Sequence, residues 1–442
     1  MASRISLSAR LVKSLSLTIL ALSVAFAPIT AFPQTKAHWV ATWATSNVTM
    51  NNADANAPLA SARTPPSFQN QTLREIVHTT IGGSSIRIRL SNVAGTQPVT
   101  FDSVFIGMQK DDANLVPGSN HQVTFGGSKS VTIREGAEAI SDPVSLSVDP
   151  QQNLAISLYS AASTGPATTH TYALQANYLS ESGNAAANDG GSPFAKTNTS
   201  WFFLAAVDVL APQTVAGAIV ALGDSITDGA SSTPGTNGRW TDVLARRLLA
   251  DHTAPAKSVL NAGIGGNRIL TSSPCWGENA LARLDRDVFA QAGAEDIILF
   301  EGTNDIGQPD TPTASLPPHV VPCLSKTQIT ADDLITGYKQ IIAQAHARGL
   351  KIIGATILPY QGFRGWTAQG EAKRKAANDW IKTGRQFDGV IDFDAALADP
   401  TNAARMKPEY DSGDHLHPSP AGHKAMGEAI DLALIPLTTA PP

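Results

Sequence analysis

Cysteine is nearly absent from this 442-residue chain, with two in all. That excludes a disulfide-framework scaffold and leaves too few thiolates for a cysteine-based zinc module. Charge is scarce as well, at 16% of residues, with a formal net charge of -5 and no basic run. A main role on nucleic acid is therefore not expected, because holding phosphates needs clustered Lys and Arg. No grouping of His, Cys and Glu has metal-ligand spacing, so neither a metal nor another cofactor is expected. The apolar stretch Leu15 to Phe26 is short for a stable membrane span, so none is expected once a leader is removed.

What the chain does have is glycine and proline, 35 and 28 residues, in the manner of a loop-rich globular protein. Its length exceeds one ordinary core, and two domains are expected. Arg4, Arg10 and Lys13 precede the apolar stretch, and small residues follow from Ala27 to Ala37. This is the layout of a secretory signal peptide over residues 1–35, with a retained anchor as the alternative. A secreted or periplasmic location follows as an expectation. In such a compartment Cys275 and Cys323, both in Pro-containing loops, are expected to pair. The bridge would close a loop of nearly fifty residues, worth about 4 kcal/mol in the chain-entropy model. The two loops are read as following adjacent strands of one sheet.

From residue 38 to about 210 the pattern has period two. Ser85-Ile-Arg-Ile-Arg-Leu-Ser-Asn92 alternates apolar and polar residues, and the stretches from Val99, Lys129, Asn153 and Thr169 are similarly strand-like. Turn signals such as Gly82-Gly83 and Asp149-Pro150 separate them, and no helical stretch intervenes. An antiparallel, jelly-roll-like β-sandwich is expected, with a long polar loop at 183–199. Near Ala211-Pro212 the texture changes. Strand-like runs at 219–222, 258–261, 296–301, 351–357 and 389–393 now alternate with amphipathic helical stretches. That alternation predicts an α/β domain over 216–437, with a parallel sheet covered on both faces.

Four short blocks fall at the ends of these strands or before the last helix. They are Gly223-Asp-Ser225, the glycine loop Asn261-Ala-Gly-Ile-Gly-Gly-Asn267, Gly302-Thr-Asn-Asp305 and Asp414-His-Leu-His-Pro418. Each alone reads as a turn or a helix cap. Together they supply what a serine nucleophile needs: a neutral histidine as base, and a carboxylate three residues before it to fix its tautomer. They also hold donors for an acyl oxyanion. In this order the blocks resemble the SGNH (GDSL-type) hydrolase superfamily, over about half the chain. The resemblance implies a flavodoxin-like three-layer α/β/α fold. It further implies Ser225 as nucleophile, Asp414 and His417 completing a triad, and the Ser225 N–H, Gly266 and Asn304 as oxyanion donors. Gly265 is the alternative to Gly266. His415, His423 and Asp411 compete with the triad members, while Asp228 and Asp305 are read as loop-shaping acceptors.

Substrate signals are sparser. Trp276, Tyr360, Phe363 and Trp366 sit on loops at the expected catalytic edge, where they either line an acyl or sugar site or plug an interface. Arg268 is read as meeting a polar leaving group or, more simply, as a surface ion pair. The expected activity is that of a secreted serine esterase acting through an acyl-enzyme, on acylated carbohydrates or simple lipid-type esters, with a polysaccharide-linked ester as one possible partner. The alternative is a carbohydrate-binding protein in which the β-sandwich is the main working module.

Overall fold

Period-two patterning builds two large antiparallel sheets and two small two-stranded ones in the computed structural model, which describes residues 37–48, 65–318 and 320–435. The leader expected at 1–35 lies outside the described residues, as does the last stretch of 216–437 beyond residue 435. The long strands of the first half are β1 (His38–Ala44), β2 (Gln71–His78), β3 (Ile86–Ser91), β4 (Ser103–Asp111), β5 (Asn153–Ser160) and β6 (Leu204–Ala211). One sheet runs β1-β6-β3 and ends on the short strand Glu138–Ile140. The other runs Lys196–Asn198, Asn177–Leu179, β2, β5, β4 and Asn114–Leu115.

The second half holds a five-stranded parallel sheet. Its strands are β7 (Val215–Gly223), β8 (Ala256–Gly263), β9 (Ala294–Phe300), β10 (Lys351–Ala355) and β11 (Gly389–Ile391). Their order across the sheet is β8-β7-β9-β10-β11, so the chain reverses direction at β7 and opens a crevice at that strand's carboxyl end. This is the flavodoxin-like arrangement. Successive residues of β7 face opposite layers, as a strand requires. Ile219 and Ala221 pack with Trp240, Leu244, Met426 and Ile430 on one side. Val220 and Leu222 pack with Leu284, Leu334, Ile341 and Ile381 on the other. Each fully buried aliphatic side chain here contributes roughly 1.5–3 kcal/mol of transfer free energy. The covering helices include α1 (Ser225–Asp228), α2 (Trp240–Ala250), α3 (Thr303–Gly307), α4 (Ala331–Ala347), α5 (Ala368–Thr383) and α6 (Pro420–Ala429). Among the described residues, no helix is long and apolar enough to cross a membrane.

No gap in the core separates the antiparallel sheets from the parallel one. Val40, Ile88 and Val207 belong to the same buried cluster as Val220, Leu260 and Leu284. Polar ties reinforce the seam. The Ser258 hydroxyl donates to the Ala41 carbonyl at 2.6 Å and meets the Thr80 hydroxyl at 3.0 Å. Arg89 donates to the Ala290 carbonyl at 2.8 Å.

Cys275 and Cys323 are bridged, with their Cα atoms 5.3 Å apart. The expected adjacency of their strands does not hold. Their loops follow β8 and β9, and β7 lies between those two in the sheet. The bridge therefore joins the loops on either side of the strand that leads to Ser225, which is why two loops from unpaired strands can meet.

Candidate active site

The site begins where β7 runs out of room. A Cβ on Gly223 would lie 2.2 Å from the Thr227 hydroxyl oxygen and 2.5 Å from the Phe300 carbonyl oxygen, so only glycine allows the turn. Asp224 then caps α1, its carboxylate accepting the Ile226 N–H at 3.0 Å. Ser225 follows as the first helical residue, 9% exposed. Its Oγ lies 2.9 Å from Nε2 of His417. Nδ1 of that ring lies 2.5 Å from Oδ2 of Asp414.

The three-residue spacing works because the chain winds around the carboxylate. Oδ1 of Asp414 accepts the N–H groups of Leu416 and His417 at 2.9 and 2.8 Å. Burial raises the Asp414 pKa, but the His417 bond and charge and these backbone donors outweigh it and hold the carboxyl well below its ordinary range. An ionised Asp414 accepts a proton bond from Nδ1 and so leaves the Nε2 lone pair facing the serine hydroxyl.

Three donors surround the serine. The Ser225 N–H opens α1 and has no intrahelical partner. The Gly266 N–H donates to no group among the described residues, whereas the Gly265 N–H is already held by Oδ2 of Asp228 at 3.0 Å. Gly266 has φ 76°, and a Cβ there would lie 2.3 Å from the Trp276 indole. Both facts demand glycine, and both let the backbone approach the cleft closely. The third donor is the Asn304 amide on α3. One of its hydrogens points to Oδ2 of Asp224 over a long 3.4 Å, which leaves the other unused.

Residues 221–425 match the model of the GDSL-like lipase/acylhydrolase family. The chain carries a GDSL-like lipase/acylhydrolase domain. It is thereby a carboxylic-ester hydrolase. The acylhydrolase domain is also similar to solved structures of low identity. One is an acetylxylan esterase from Geobacillus stearothermophilus (20% identity, 49% of this chain and 93% of that one, TM-score 0.36). Another is a GDSL-like lipase from Bacteroides thetaiotaomicron (17% identity, 49% and 87%, TM-score 0.35). Among curated proteins, none matches the chain.

The acylhydrolase cleft has a volume of about 560 Å³, within the range of small-molecule sites. Leu316, Val320, Leu324 and Phe363 give it an apolar wall, and Trp276 and Tyr360 also line it. Cys323 sits inside the wall-forming loop, so the disulfide pins that loop beside Trp276.

Several other sequence readings change at this point. Trp366 does not line the cleft; it packs partly buried against the core. Arg268 is not at the surface. It is 2% exposed and ties the Thr271 and Ser272 carbonyls to Gln308, which stitches the glycine loop to the end of α3. His415 pairs with Asp411 at 2.6 Å on the exposed side of its loop. His423 is fully buried, with Nε2 on the Ala230 carbonyl at 2.9 Å. Asp305 shapes the glycine loop by accepting the N–H groups of Ile269 and Leu270 at 2.9 and 3.0 Å.

Burial pushes the Asp224 and Asp305 carboxyls up to about 6, against the backbone N–H groups they accept. It also holds the Glu301 carboxyl well above its ordinary range, with Arg283 the main counterweight. Arg283 is itself completely buried. It donates to the Gly223 and Ala262 carbonyls at 3.1 and 2.7 Å, clamping together the ends of β7 and β8. Sequence reading missed Arg283, which looks like any polar residue of an amphipathic helix. It also missed Tyr172, which reaches the cleft from the antiparallel half and carries no local signal of doing so.

Proposed function

We propose that the enzyme is a secreted serine esterase that works through an acyl-enzyme. The observation that carries this reading is the continuous contact Ser225–His417–Asp414 beside two unengaged N–H groups. The Ser225 oxygen attacks the ester carbonyl carbon while Nε2 of His417 takes its proton. Asp414 stabilises the imidazolium that forms. The carbonyl oxygen, now negative, is held by the N–H groups of Ser225 and Gly266 and by the Asn304 amide. The carbon–oxygen bond to the alcohol then breaks, and His417 returns the proton to the departing oxygen. Water, deprotonated by the same ring, cleaves the acyl-serine and releases the carboxylic acid.

On the acid side, the apolar wall of Leu316, Val320, Leu324 and Phe363 supports an acyl group larger than acetyl, as in a lipid-type ester. On the alcohol side an acylated carbohydrate remains in the proposal, supported by the exposed Arg364 among the residues that line the cleft. Export is supported by the layout of residues 1–35 and by a disulfide, which persists best in an oxidising compartment. Fluorophosphonate labelling with peptide mapping tests the chemistry, together with p-nitrophenyl acetate and octanoate turnover. Label on Ser225 is expected, with turnover abolished in Ser225→Ala. A folded protein that neither labels nor turns over sinks the proposal.

A further inference from the structure

The antiparallel half is not only packed beside the acylhydrolase domain. It also touches the loop that carries Gly266. His170, at the end of the short strand Thr169–His170, is 4% exposed, and both its ring nitrogens are engaged. Nδ1 lies 2.8 Å from the Ser46 carbonyl oxygen, and Nε2 lies 2.9 Å from Oδ1 of Asp228. A carbonyl and a carboxylate can only accept, so the ring satisfies both partners only as a doubly protonated imidazolium. The other oxygen of Asp228 accepts the Gly265 N–H at 3.0 Å. Another residue of the antiparallel half packs close to Gly265, since a Cβ there would lie 2.8 Å from the Tyr172 ring.

We propose that His170 is a positioning residue for ester hydrolysis: through Asp228 and Gly265 it sets where the Gly266 N–H meets the developing oxyanion. The proposal rests on the serine-esterase reading above. It makes the antiparallel half part of the active site rather than a separable binding module. A donor is useful only within about 2.7–3.1 Å of the oxyanion, so a loop displaced by an ångström loses most of its effect.

The charge state of this link is what makes it testable. Burial works against a charged His170, and Arg239 opposes it as well. The Asp228 carboxylate and the Ser46 carbonyl outweigh both and hold its pKa above the ordinary histidine value. The other groups facing the pair are the Tyr172 hydroxyl, the Asp224 carboxyl and the Arg239 guanidinium, whose Nε donates to the Asp228 carbonyl at 2.8 Å. His78 and Asp242 line the same small cavity. As pH rises through the His170 pKa, the ring loses one proton. It then turns a lone pair toward an acceptor, and the link fails.

The experiment compares full-length wild type, His170→Ala and Asp228→Asn in p-nitrophenyl acetate turnover from pH 6 to 10. Ser225→Ala supplies the background, and fluorophosphonate stoichiometry counts folded sites. In Asp228→Asn the amide oxygen can still accept from Gly265, and the amide N–H can donate to a neutral His170. The expected result is a 10- to 100-fold fall in kcat per labelled site for His170→Ala, with KM changed less than about threefold. Wild type is expected to lose turnover as pH rises through the His170 pKa, whereas Asp228→Asn should keep kcat within about threefold of wild type and show no such decline. The inference is overturned if His170→Ala labels fully and turns over within threefold of wild type. If that variant does not fold, Asp228→Asn decides: an alkaline decline unchanged from wild type overturns the inference. Wild type that neither labels on Ser225 nor turns over overturns the esterase reading and this inference together. An active wild type with an unaffected His170→Ala overturns only the latter.

Discussion

Replacing Gly266 by alanine tests the proposed oxyanion role of its loop, and its cost can be worked out. At φ 76° the added methyl places alanine in the left-handed region, at roughly 1–2 kcal/mol. The same methyl would sit 2.3 Å from the Trp276 ring, where ordinary contact begins near 3.4 Å. Loop or indole must therefore give way by about 1 Å. Trp276 follows directly on bridged Cys275, so the indole is poorly placed to yield and the loop is expected to move. A 1 Å shift takes the Gly266 N–H out of hydrogen-bond range of the oxyanion. Loss of one such donor lowers kcat by about 10²–10³-fold. The assay is p-nitrophenyl acetate turnover per fluorophosphonate-labelled site, with thermal unfolding in parallel. Gly266→Ala should lose about two orders of magnitude in kcat while remaining folded. Adding Trp276→Ala removes the clash but not the strain, and should recover at least about tenfold of the loss. Turnover by Gly266→Ala within threefold of wild type refutes the reasoning, and so does a double variant no better than the single one.

Other expectations follow from the same geometry. Asn304→Ala should lower kcat by about 10²–10³-fold; a loss below threefold in steady-state assays would leave Asn304 only as a partner of Asp224. Removing the Cys275–Cys323 bridge, with its sequence separation of 48, should cost about 4 kcal/mol in urea unfolding. It should also cut octanoate turnover more than acetate turnover, because Leu316, Val320 and Leu324 lose their anchor; unchanged stability and an unchanged ratio would contradict this. His423 should make the fold acid-sensitive. Burial pushes its pKa down to about 4 from the ordinary 6.5, so the unfolded chain binds a proton that the native state refuses, and stability is lost as pH falls through that window. The full loss is about 3 kcal/mol at 1.36 kcal/mol per pH unit. Asp224 and Asp305, pushed up to about 6, act in the opposite sense between pH 6 and 4, so the test is a difference. His423→Asn should lose up to about 3 kcal/mol less than wild type between pH 6.5 and 4; parallel unfolding curves would refute it.

The parallel sheet was legible because its signal is local. Short apolar runs followed by amphipathic stretches mark strands and helices whatever lies around them, and all five strands fall where those runs do. The residues expected at the site are brought together because each block sits at a strand end or before the last helix. The buried ionic groups were not legible. Arg74 and Glu75 occupy the middle of β2 with almost no exposure, so the strand does not read as alternating. What houses Arg74 is distant in sequence: the Asn188 carbonyl and the face of Phe194, its ring centre 4.1 Å from the guanidinium. Both belong to the stretch 183–199, read as a polar loop. It is instead folded over the sheet, and ends in a paired strand at Lys196–Asn198. Arg268 and Arg283 misled for the same reason, since a buried arginine is defined by carbonyls that only the tertiary fold supplies.

A core that crosses the seam between two sheet systems leaves no line along which the chain can come apart in stages. The side chains that stabilise β1 and β6 are the same ones that shield β7 and β8 from water. Heat should therefore meet a single cooperative object. One calorimetric peak is expected, with an enthalpy near 0.7 kcal/mol per residue over the whole unit, about twice what the parallel-sheet half would absorb alone. Two resolved peaks would show that the seam is weaker than its packing implies. A chain that melts as one piece also has to be inherited as one piece. Removing the antiparallel half would strip the insulation from the sheet that leads to Ser225, so it is not expected to be exchangeable like a cassette.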